Sequence, residues 1–455
     1  MQTILNGFVA CLCLAWFFCL GWLLPASRQM TPESAEPGEQ RETSGAMSSL
    51  EFWATQRAYP SKTFPSRGFV EAFDQAQRDL PEVMEKDRAV TPWQPLGPHN
   101  IGGRTLAVAL NPLNPHTVYA GSASGGLWRS YTGGRGALAW QYVSTGYPVL
   151  AVSSIAISPK DSNTIFIGTG EVYAYQDTQG GIADRLTRGS YGIGILQTTD
   201  GGLTWTKSLD WSAHQERGVQ VVKMCPRKSG IIWAGTTEGT YKTIDNGKNW
   251  DPVHSTIMVT DLVINPDHPN TVIIACGNLH SVGQGLYRTT DGGVSWTQLL
   301  STAIPTNLRG KTLLSICDSQ PGTILASSGN GGLGSEWTWL SRTDNGGDTW
   351  TLMSTTDYSQ WQGWFSHDVA VNPDNPDEVF TVGIDIWKST TGGGALQRMS
   401  DWQQWYFGQV QPGEPEGAPD YSHADHHDLV YHPTDRNIIY FANDGGIFRT
   451  LDGGS

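Results

Sequence analysis

One short motif recurs along this chain and constrains its fold more than any other feature. The octapeptide TTDGGLTW begins at Thr198. Further copies, complete or worn, begin at Ser130, Thr243, Thr289, Arg342, Ser389 and Thr450. In each copy a Thr or Ser ends a strand and Gly supplies positive φ, and in all but the two worn copies at Ser130 and Ser389 an Asp or Asn bonds to nearby backbone N–H groups. In the copies that carry a Trp, it opens the next strand and packs under the turn, so the motif predicts a repeated hairpin tip.

A second sequence pattern alternates with the repeated motif. It is a proline-containing turn that follows an alternating apolar strand and precedes a β-rich run such as TVYAG or TIFIG. Its prolines are Pro112, Pro159, Pro226, Pro266, Pro321, Pro373 and Pro433. Repeats of this period are typical of propeller blades. The chain is therefore predicted to be an all-β protein, a seven-bladed β-propeller of four-stranded blades.

The pattern S/T-x-D-x-G-x-T/S-W resembles the Asp-box, or bacterial neuraminidase repeat. This repeat occurs in sialidases, in sortilin-type receptors and in the two-propeller hydrolases that cut xyloglucan. The resemblance implies the propeller fold, and in those families the box is structural and faces away from the active site. No catalytic role is therefore expected for Asp200, Asp245, Asp291 or Asp344. No sialidase-type arginine triad or Tyr–Glu pair is found, so the resemblance transfers no catalytic residue.

Composition narrows the class of partner. The formal net charge is −14 and no basic run is present, which argues against a nucleic-acid partner. Nineteen Trp and 54 Gly, with only 16% charged residues, are typical of many short strands and tight turns. Outside the leader the cysteines are Cys225, Cys276 and Cys317, which are expected to be buried small hydrophobes, with one disulfide as the alternative.

Four regions are predicted along the chain. Residues 1–27 form a signal peptide or a membrane anchor, because Gly7–Leu24 is apolar and uncharged. Residues 28–49 form a flexible linker, 50–90 a helical cap that Pro81 interrupts, and 91–455 the propeller. Trp93 is expected to supply the outer strand of the last blade; truncation of the chain is the alternative. The protein is predicted to be a monomer that is secreted, periplasmic or on the cell surface, and any membrane contact is through residues 7–24.

The lengths of the connections predict the functional face. If the proline turn joins the first strand to the second, and the repeated motif joins the third to the fourth, both lie on one face of the ring. The remaining connections reach the opposite face and differ in length. The long ones are 170–192, 327–340, 356–367 and 400–425. Variable loops on a repetitive scaffold are where function normally resides.

Candidate acids lie in these loops or directly after them. Glycoside hydrolysis needs two carboxylates across a cleft, and we predict Glu171 paired with Asp368 or Asp425. Aromatic faces beside polar groups suit sugars. The predicted substrate-binding residues are Arg104, Tyr173, Trp361, Trp364, His367, Trp402, Trp405, His426 and Asp444. Packing of these aromatics within the loops is the alternative.

The sequence HADHHD from His423 mixes metal-ligating side chains. A divalent metal held by His423, Asp425 and His427 is one hypothesis, an acid–base relay is another, and a structural hydrogen-bond network near the axis is favoured over both. No other cofactor is expected. The protein is thus predicted to bind an extracellular polysaccharide or protein, either as a glycoside hydrolase or as a non-catalytic binding propeller.

Overall fold

Seven antiparallel sheets follow one another along the chain, and each is an up-and-down meander. The computed structural model that shows them describes residues 52, 55–56, 58–63, 65–86, 102–177, 183–214, 216–279, 281–305, 310–330, 337–406 and 414–454. Trp93 and the predicted signal and linker lie outside these residues. The first six sheets have four strands, and in the seventh the structure describes three.

The strand bounds place the turns as the sequence predicts. Blade 1 consists of β1 (Thr105–Leu110), β2 (Val118–Ser122), β3 (Leu127–Ser130) and β4 (Trp140–Val143). Blade 2 consists of β5 (Val152–Ile157), β6 (Ile165–Thr169), β9 (Gly194–Thr198) and β10 (Thr206–Asp210), with the hairpin β7 (Ala174–Asp177) and β8 (Ala183–Leu186) inserted after β6. Blade 3 consists of β11 (Val219–Met224), β12 (Ile232–Thr236), β13 (Gly239–Thr243) and β14 (Asp251–His254).

The remaining blades repeat this plan. Blade 4 consists of β15 (Val259–Ile264), β16 (Val272–Cys276), β17 (Gly285–Thr289) and β18 (Thr297–Leu299). Blade 5 consists of β19 (Thr312–Ile316), β20 (Ile324–Ser328), β21 (Trp339–Thr343) and β22 (Thr351–Ser354). Blade 6 consists of β23 (Asp368–Asn372), β24 (Asn375–Val382), β25 (Ile386–Ser389) and β26 (Gln397–Arg398). Blade 7 consists of β27 (His426–Tyr431), β28 (Ile439–Asn443) and β29 (Gly446–Thr450).

Apolar clusters join each blade to the next and close the ring. Seven clusters of buried side chains are found in the described residues, and each draws on two adjacent blades. The cluster that joins blade 7 to blade 1 contains Val108, Val118, Tyr440 and Ala442. Since β27 also packs against β1, the last blade meets the first. The predicted seven-bladed propeller is confirmed.

Basic side chains add a polar joint between most neighbouring blades. The residue before the Ser or Thr of the turn is Arg or Lys in six blades, and it donates to a backbone carbonyl of the next blade. These bonds are Arg129–Gly201 (2.8 Å), Lys242–Gly292 (2.7 Å), Arg288–Gly346 (2.9 Å), Arg342–Pro376 (2.7 Å), Lys388–Gly453 (2.6 Å) and Arg449–Gly133 (2.9 Å). In blade 2, where Gln197 takes that place, Ser208 Oγ donates to Gly247 O instead, at 2.6 Å.

The turn between the third and fourth strands has the predicted hydrogen bonds. In blade 2, Thr198 Oγ1 accepts from Gly202 N at 3.0 Å, and Asp200 Oδ1 accepts from Thr204 N at 2.9 Å. Gly201 and Gly202 have φ of 72° and 92°, which a side chain would oppose. The Trp lies under the turn as predicted, and it also packs against the preceding blade, as Trp205 does in the cluster between blades 1 and 2.

These turns predict a dependence of stability on acid. Hydrogen bonds from the next turn residues lower the pKa of Asp200 and Asp245 to about 2 and also lower that of Asp291. Because the folded pKa is depressed, the stabilisation is present above about pH 4 and is lost as the pH falls towards 2. We expect the melting temperature of the triple variant Asp200→Asn, Asp245→Asn, Asp291→Asn to fall less steeply between pH 4 and 2 than that of the unmodified protein. The exposed Asp251→Asn is the control, and equal slopes would contradict the prediction.

Three other predictions concern single elements. Helix α1 (Ser66–Lys86) continues through Pro81, contrary to the predicted interruption, because an α-helix can lose one backbone bond and continue. Its predicted packing against the propeller stays a prediction.

Cys225, Cys276 and Cys317 are free and buried, which confirms their role as small core residues. Among the described residues, no helix has the length and apolar character needed to cross a membrane.

Candidate functional site

The predicted functional face holds a compact polar cluster at one end of the axis, which we call the mouth. It is formed where the inner strands begin and where the insertion between β6 and β9 meets the connections that enter β23 and β27. Glu171 lies at its centre and is 3% exposed. It accepts hydrogen bonds from Tyr173 Oη at 2.6 Å and from Arg104 Nη2 at 2.9 Å. Burial raises the pKa of Glu171, and these two donors oppose the rise.

Aromatic rings pack around this ion pair. Phe365 is fully buried and lies under the Arg188 guanidinium, whose carbon is 4.1 Å from the ring centroid. Its ring also meets those of Tyr173 and Trp364, with centroids 5.4 Å away in both cases. Arg104 Nη2 donates to Arg188 O at 2.7 Å, which holds the insertion against the start of β1. Tyr173 and Trp364, predicted to bind substrate, therefore form part of the packing of the mouth.

A histidine–aspartate pair stands beside Glu171. His427 Nε2 lies 2.6 Å from Asp444 Oδ1, and the His427 ring packs edge-on against Phe365. Burial lowers the pKa of His427, and Asp444 opposes that effect. The charge of Asp444 in turn contributes to the raised pKa of Glu171. The structure thus brings Glu171 and Asp444 together at the mouth.

Asp425 completes the cluster. Its carboxylate accepts from Gln362 Nε2 at 3.4 Å, and its backbone carbonyl accepts from Asp444 N at 3.2 Å. Burial and the nearby charge of Asp444 raise the pKa of Asp425 to about 6. The residue has a φ of 61°, a left-handed conformation that Asp and Asn tolerate better than other side chains. Asp425 is thus a carboxyl group that can carry a proton near neutral pH.

This raised pKa gives a testable pH dependence of stability. Ionisation of Asp425 is favoured in the unfolded chain, with a pKa of about 3.9, so the stability that it contributes is lost as the pH rises from about 4 to 6. Asn cannot ionise and tolerates the same backbone conformation. We expect Asp425→Asn to be more stable than the unmodified protein by about 1–2 kcal/mol at pH 7, with a smaller difference at pH 4. Urea unfolding at both pH values measures this, and a difference independent of pH would contradict it.

Three predicted site residues lie away from the mouth surface. Asp368 is buried between blades 6 and 7, where it accepts from Val369 N at 2.8 Å and from Leu429 N at 3.2 Å. His367 and His426 are fully buried, and their ring nitrogens bond to protein groups. Burial lowers the pKa of His367 to about 3 and that of His426 to about 4. These positions match the structural network that the sequence favoured near the axis.

The residues of the predicted metal set are not arranged as ligands. His423 Nδ1 lies 3.0 Å from the backbone oxygen of Ala424, and His427 is bonded to Asp444. In the part of the chain that the structure describes, no three His, Cys, Asp or Glu side chains are arranged to hold a metal ion. The geometry therefore gives the metal hypothesis no support.

Exposed aromatic side chains lie on the same face, beside blades 5 to 7. Trp361 is 63% exposed, and Trp402 and Trp405 are 43% and 42% exposed. Trp361 neighbours Gln362, which bonds to Asp425. Asp385 fixes the start of the loop that carries the other two, because its carboxylate accepts from Trp402 N at 3.0 Å. Exposed flat rings close to an acid are the surface that the sequence predicted for a sugar ligand.

Sequence reasoning missed two cations of this region. Arg188 covers Phe365, and Lys311 lies on the axis just before β19. The signal for Arg188 was its place in the long insertion, and the signal for Lys311 was a lysine at the start of an apolar inner strand. Neither signal indicates a direction for the side chain.

The closed ring and its loop-lined mouth define the class: a seven-bladed β-propeller. No protein-family model matches the chain. A probable oligoxyloglucan-reducing end-specific xyloglucanase from Neosartorya fischeri is 25% identical over 204 residues, which is 42% of this chain and 24% of that protein. The chain thus spans about a quarter of the length of this curated relative.

Solved structures share the fold. The crystal structure of the GH74 xyloglucanase from Xanthomonas campestris matches with a TM-score of 0.58 and 15% identity, over 79% of this chain and 54% of that one. An ancestral GH74 enzyme matches with a TM-score of 0.56 and 17% identity, over 79% of this chain and 46% of its own. At these identities the likeness shows the fold alone.

Proposed function

We propose that the protein acts on an extracellular polysaccharide and hydrolyses its glycosidic bonds at the mouth. The observation that carries the proposal is a pair of carboxyl groups on one face of the ring: Glu171, which forms an ion pair with Arg104, and Asp425, whose pKa burial raises to about 6. Glycosidases need one carboxyl group that is protonated near neutral pH and a second that acts as base or nucleophile. Asp425 fits the first role. Glu171, oriented by Arg104 and Tyr173, fits the second.

The similarity to xyloglucanases supports a polysaccharide as the substrate class. The exposed Trp361, Trp402 and Trp405 supply stacking surfaces on the same face as Asp425. We further propose that the repeated turns are Asp-boxes, that residues 1–27 direct export or anchor the chain, and that residues 50–90 cap the propeller. The test of the main proposal is the release of reducing ends from plant and bacterial polysaccharides by the purified protein. No release from any of them would contradict it.

One observation favours a non-catalytic binding propeller as the second candidate. Glu171 is 3% exposed, and its carboxylate is already bonded to Arg104 and Tyr173. In this second candidate function, the Glu171 carboxylate has a structural role alone and holds the insertion in place. In that case the protein would bind polysaccharide through its exposed tryptophans without cleaving it. Binding without hydrolysis, lost in the double variant Trp361→Ala, Trp402→Ala, would establish this alternative.

A further inference from the structure

A cavity of about 90 Å³ lies on the axis of the ring, and Glu171 and Tyr173 are part of its wall. Inner-strand residues of six blades also line it: Leu106, Ser153, Gln220, Thr260, Leu313 and His427. A single water needs about 10–15 Å³ of such space. The cavity therefore has room for a small organic molecule.

Lys311 brings an ammonium group to this cavity. It lies directly before β19 and lines the wall. Within the described ranges its ammonium group makes no hydrogen bond and no ion pair. Burial lowers the pKa of Lys311, because the surroundings solvate the charged form less well than water does. Lys311 is partly buried, and an ammonium group removed from water in this way normally has a hydrogen-bonded partner of opposite charge.

The acids nearby do not supply this partner. Four of them act on the ammonium group through their charge: Asp368, Asp261, Asp428 and Glu171. Glu171 and Asp261 already pair with other cations, Arg104 and Lys223, each at 2.9 Å. The other two accept backbone N–H bonds from a neighbouring blade, and burial raises their pKa values. The Lys311 ammonium group is thus available to pair with an anionic group of a ligand in the cavity.

Asn278 adds an acceptor to the same wall. Its side chain is held by Nδ2, which donates to Trp364 O at 2.8 Å, and the residue is 1% exposed. Its Oδ1 is buried and has no hydrogen-bond partner among the described residues. An unsatisfied buried carbonyl oxygen is unfavourable, so this position favours a ligand that brings a hydrogen-bond donor. Lys311 and Asn278 therefore both line the cavity, and among the described residues neither the ammonium group nor Asn278 Oδ1 has a hydrogen-bond partner.

We propose that the axial cavity binds a small hydroxycarboxylate. The carboxylate pairs with the Lys311 ammonium group, and the hydroxyl donates to Asn278 Oδ1. The ligand is either a free small hydroxy acid or the uronic acid unit of a polysaccharide, because both carry the same two groups. This binding does not depend on hydrolysis at the mouth.

Calorimetric titration of the full chain tests the proposal. The probes are glycolate, acetate, glycerol and glucuronate, all at the same ionic strength. We expect glycolate to bind more tightly than acetate, which lacks the hydroxyl, and than glycerol, which lacks the carboxylate. Lys311→Met should weaken binding at least about tenfold, since it removes a charge-assisted hydrogen bond. Lys160→Met, which changes an exposed lysine in the turn between β5 and β6, should leave it unchanged.

The outcomes separate the two sources of ligand. Binding of glycolate without glucuronate supports a free hydroxy acid, and binding of glucuronate, with or without glycolate, supports a polymer unit. Binding of neither, or equal binding by the Lys311→Met variant, overturns the proposal. If Lys311→Met does not fold, a crystal of the unmodified protein soaked in glycolate decides: the carboxylate must lie within 4 Å of Lys311 Nζ, roughly the ion-pair limit.

Discussion

Replacing Asp425 by Asn is expected to lower the rate of polysaccharide hydrolysis at least about 100-fold while the propeller stays folded. General acid catalysis typically contributes about 10² to 10⁴ in rate, and an amide cannot donate the proton that the leaving oxygen needs. Asn keeps the left-handed backbone of this position and the contact with Gln362. The rate should be measured by the release of reducing ends between pH 4 and 8. If the proposed hydrolysis takes place, the unmodified protein should lose activity above about pH 6, where Asp425 ionises.

The control for this change is Asp420→Asn, an exposed aspartate in the same connection. It should leave the rate within about twofold, since surface substitutions rarely disturb a fold. The rate of hydrolysis and the stability should change in opposite directions: Asp425→Asn should be slower and, at pH 7, more stable. A variant that is both slower and less stable would mean that Asp425 serves the fold, and the catalytic assignment would fail.

Replacing Asp368 by Ala is expected to lower the free energy of unfolding by about 2–4 kcal/mol. The change leaves the backbone N–H groups of Val369 and Leu429 without their acceptor inside the ring, and each such group costs about 1–3 kcal/mol. Urea unfolding, followed by tryptophan fluorescence at pH 7, measures the effect.

Asp368→Asn keeps one acceptor oxygen and should lose less stability than Asp368→Ala. The exposed Asp435→Ala, on the opposite face, is the matched control. A loss below about 1 kcal/mol for Asp368→Ala would show that these N–H groups find other partners. Retained hydrolysis in folded Asp368→Asn would further separate this residue from the proposed catalytic acids, Glu171 and Asp425.

The fold was predictable because its signals are local and repeated. The residues of a turn such as Thr198–Trp205 determine its geometry locally: Asp accepts hydrogen bonds from the backbone, Gly adopts positive φ, and the next strand begins at Trp. Seven proline turns then gave the number of blades. What the sequence did not show was the joint between blades, although its signal is present: Arg or Lys precedes the turn in six of seven blades.

The site was predictable by region and less so by residue. Loop lengths located the mouth, and Arg104, Glu171, Asp425 and Asp444 meet there. The loop lengths could not distinguish Asp425 from Asp368, because Asp425 directly precedes one inner strand and Asp368 is the first residue of another. The difference lies in where each side chain points: Asp368 caps an N–H group of blade 7, whereas Asp425 sits in a turn before β27. Lys311 was missed because long-range packing alone brings it to the axis.

The basic joints between blades lie at the face opposite to the mouth. Each is a contact of a side chain with a backbone carbonyl, and in five of the six the carbonyl belongs to a glycine of the repeated turn. Loops at the mouth can therefore lengthen, shorten or exchange residues without touching the contacts that hold the ring. A protein built in this way can acquire a new ligand through changes on one side while inheriting its stability from the other.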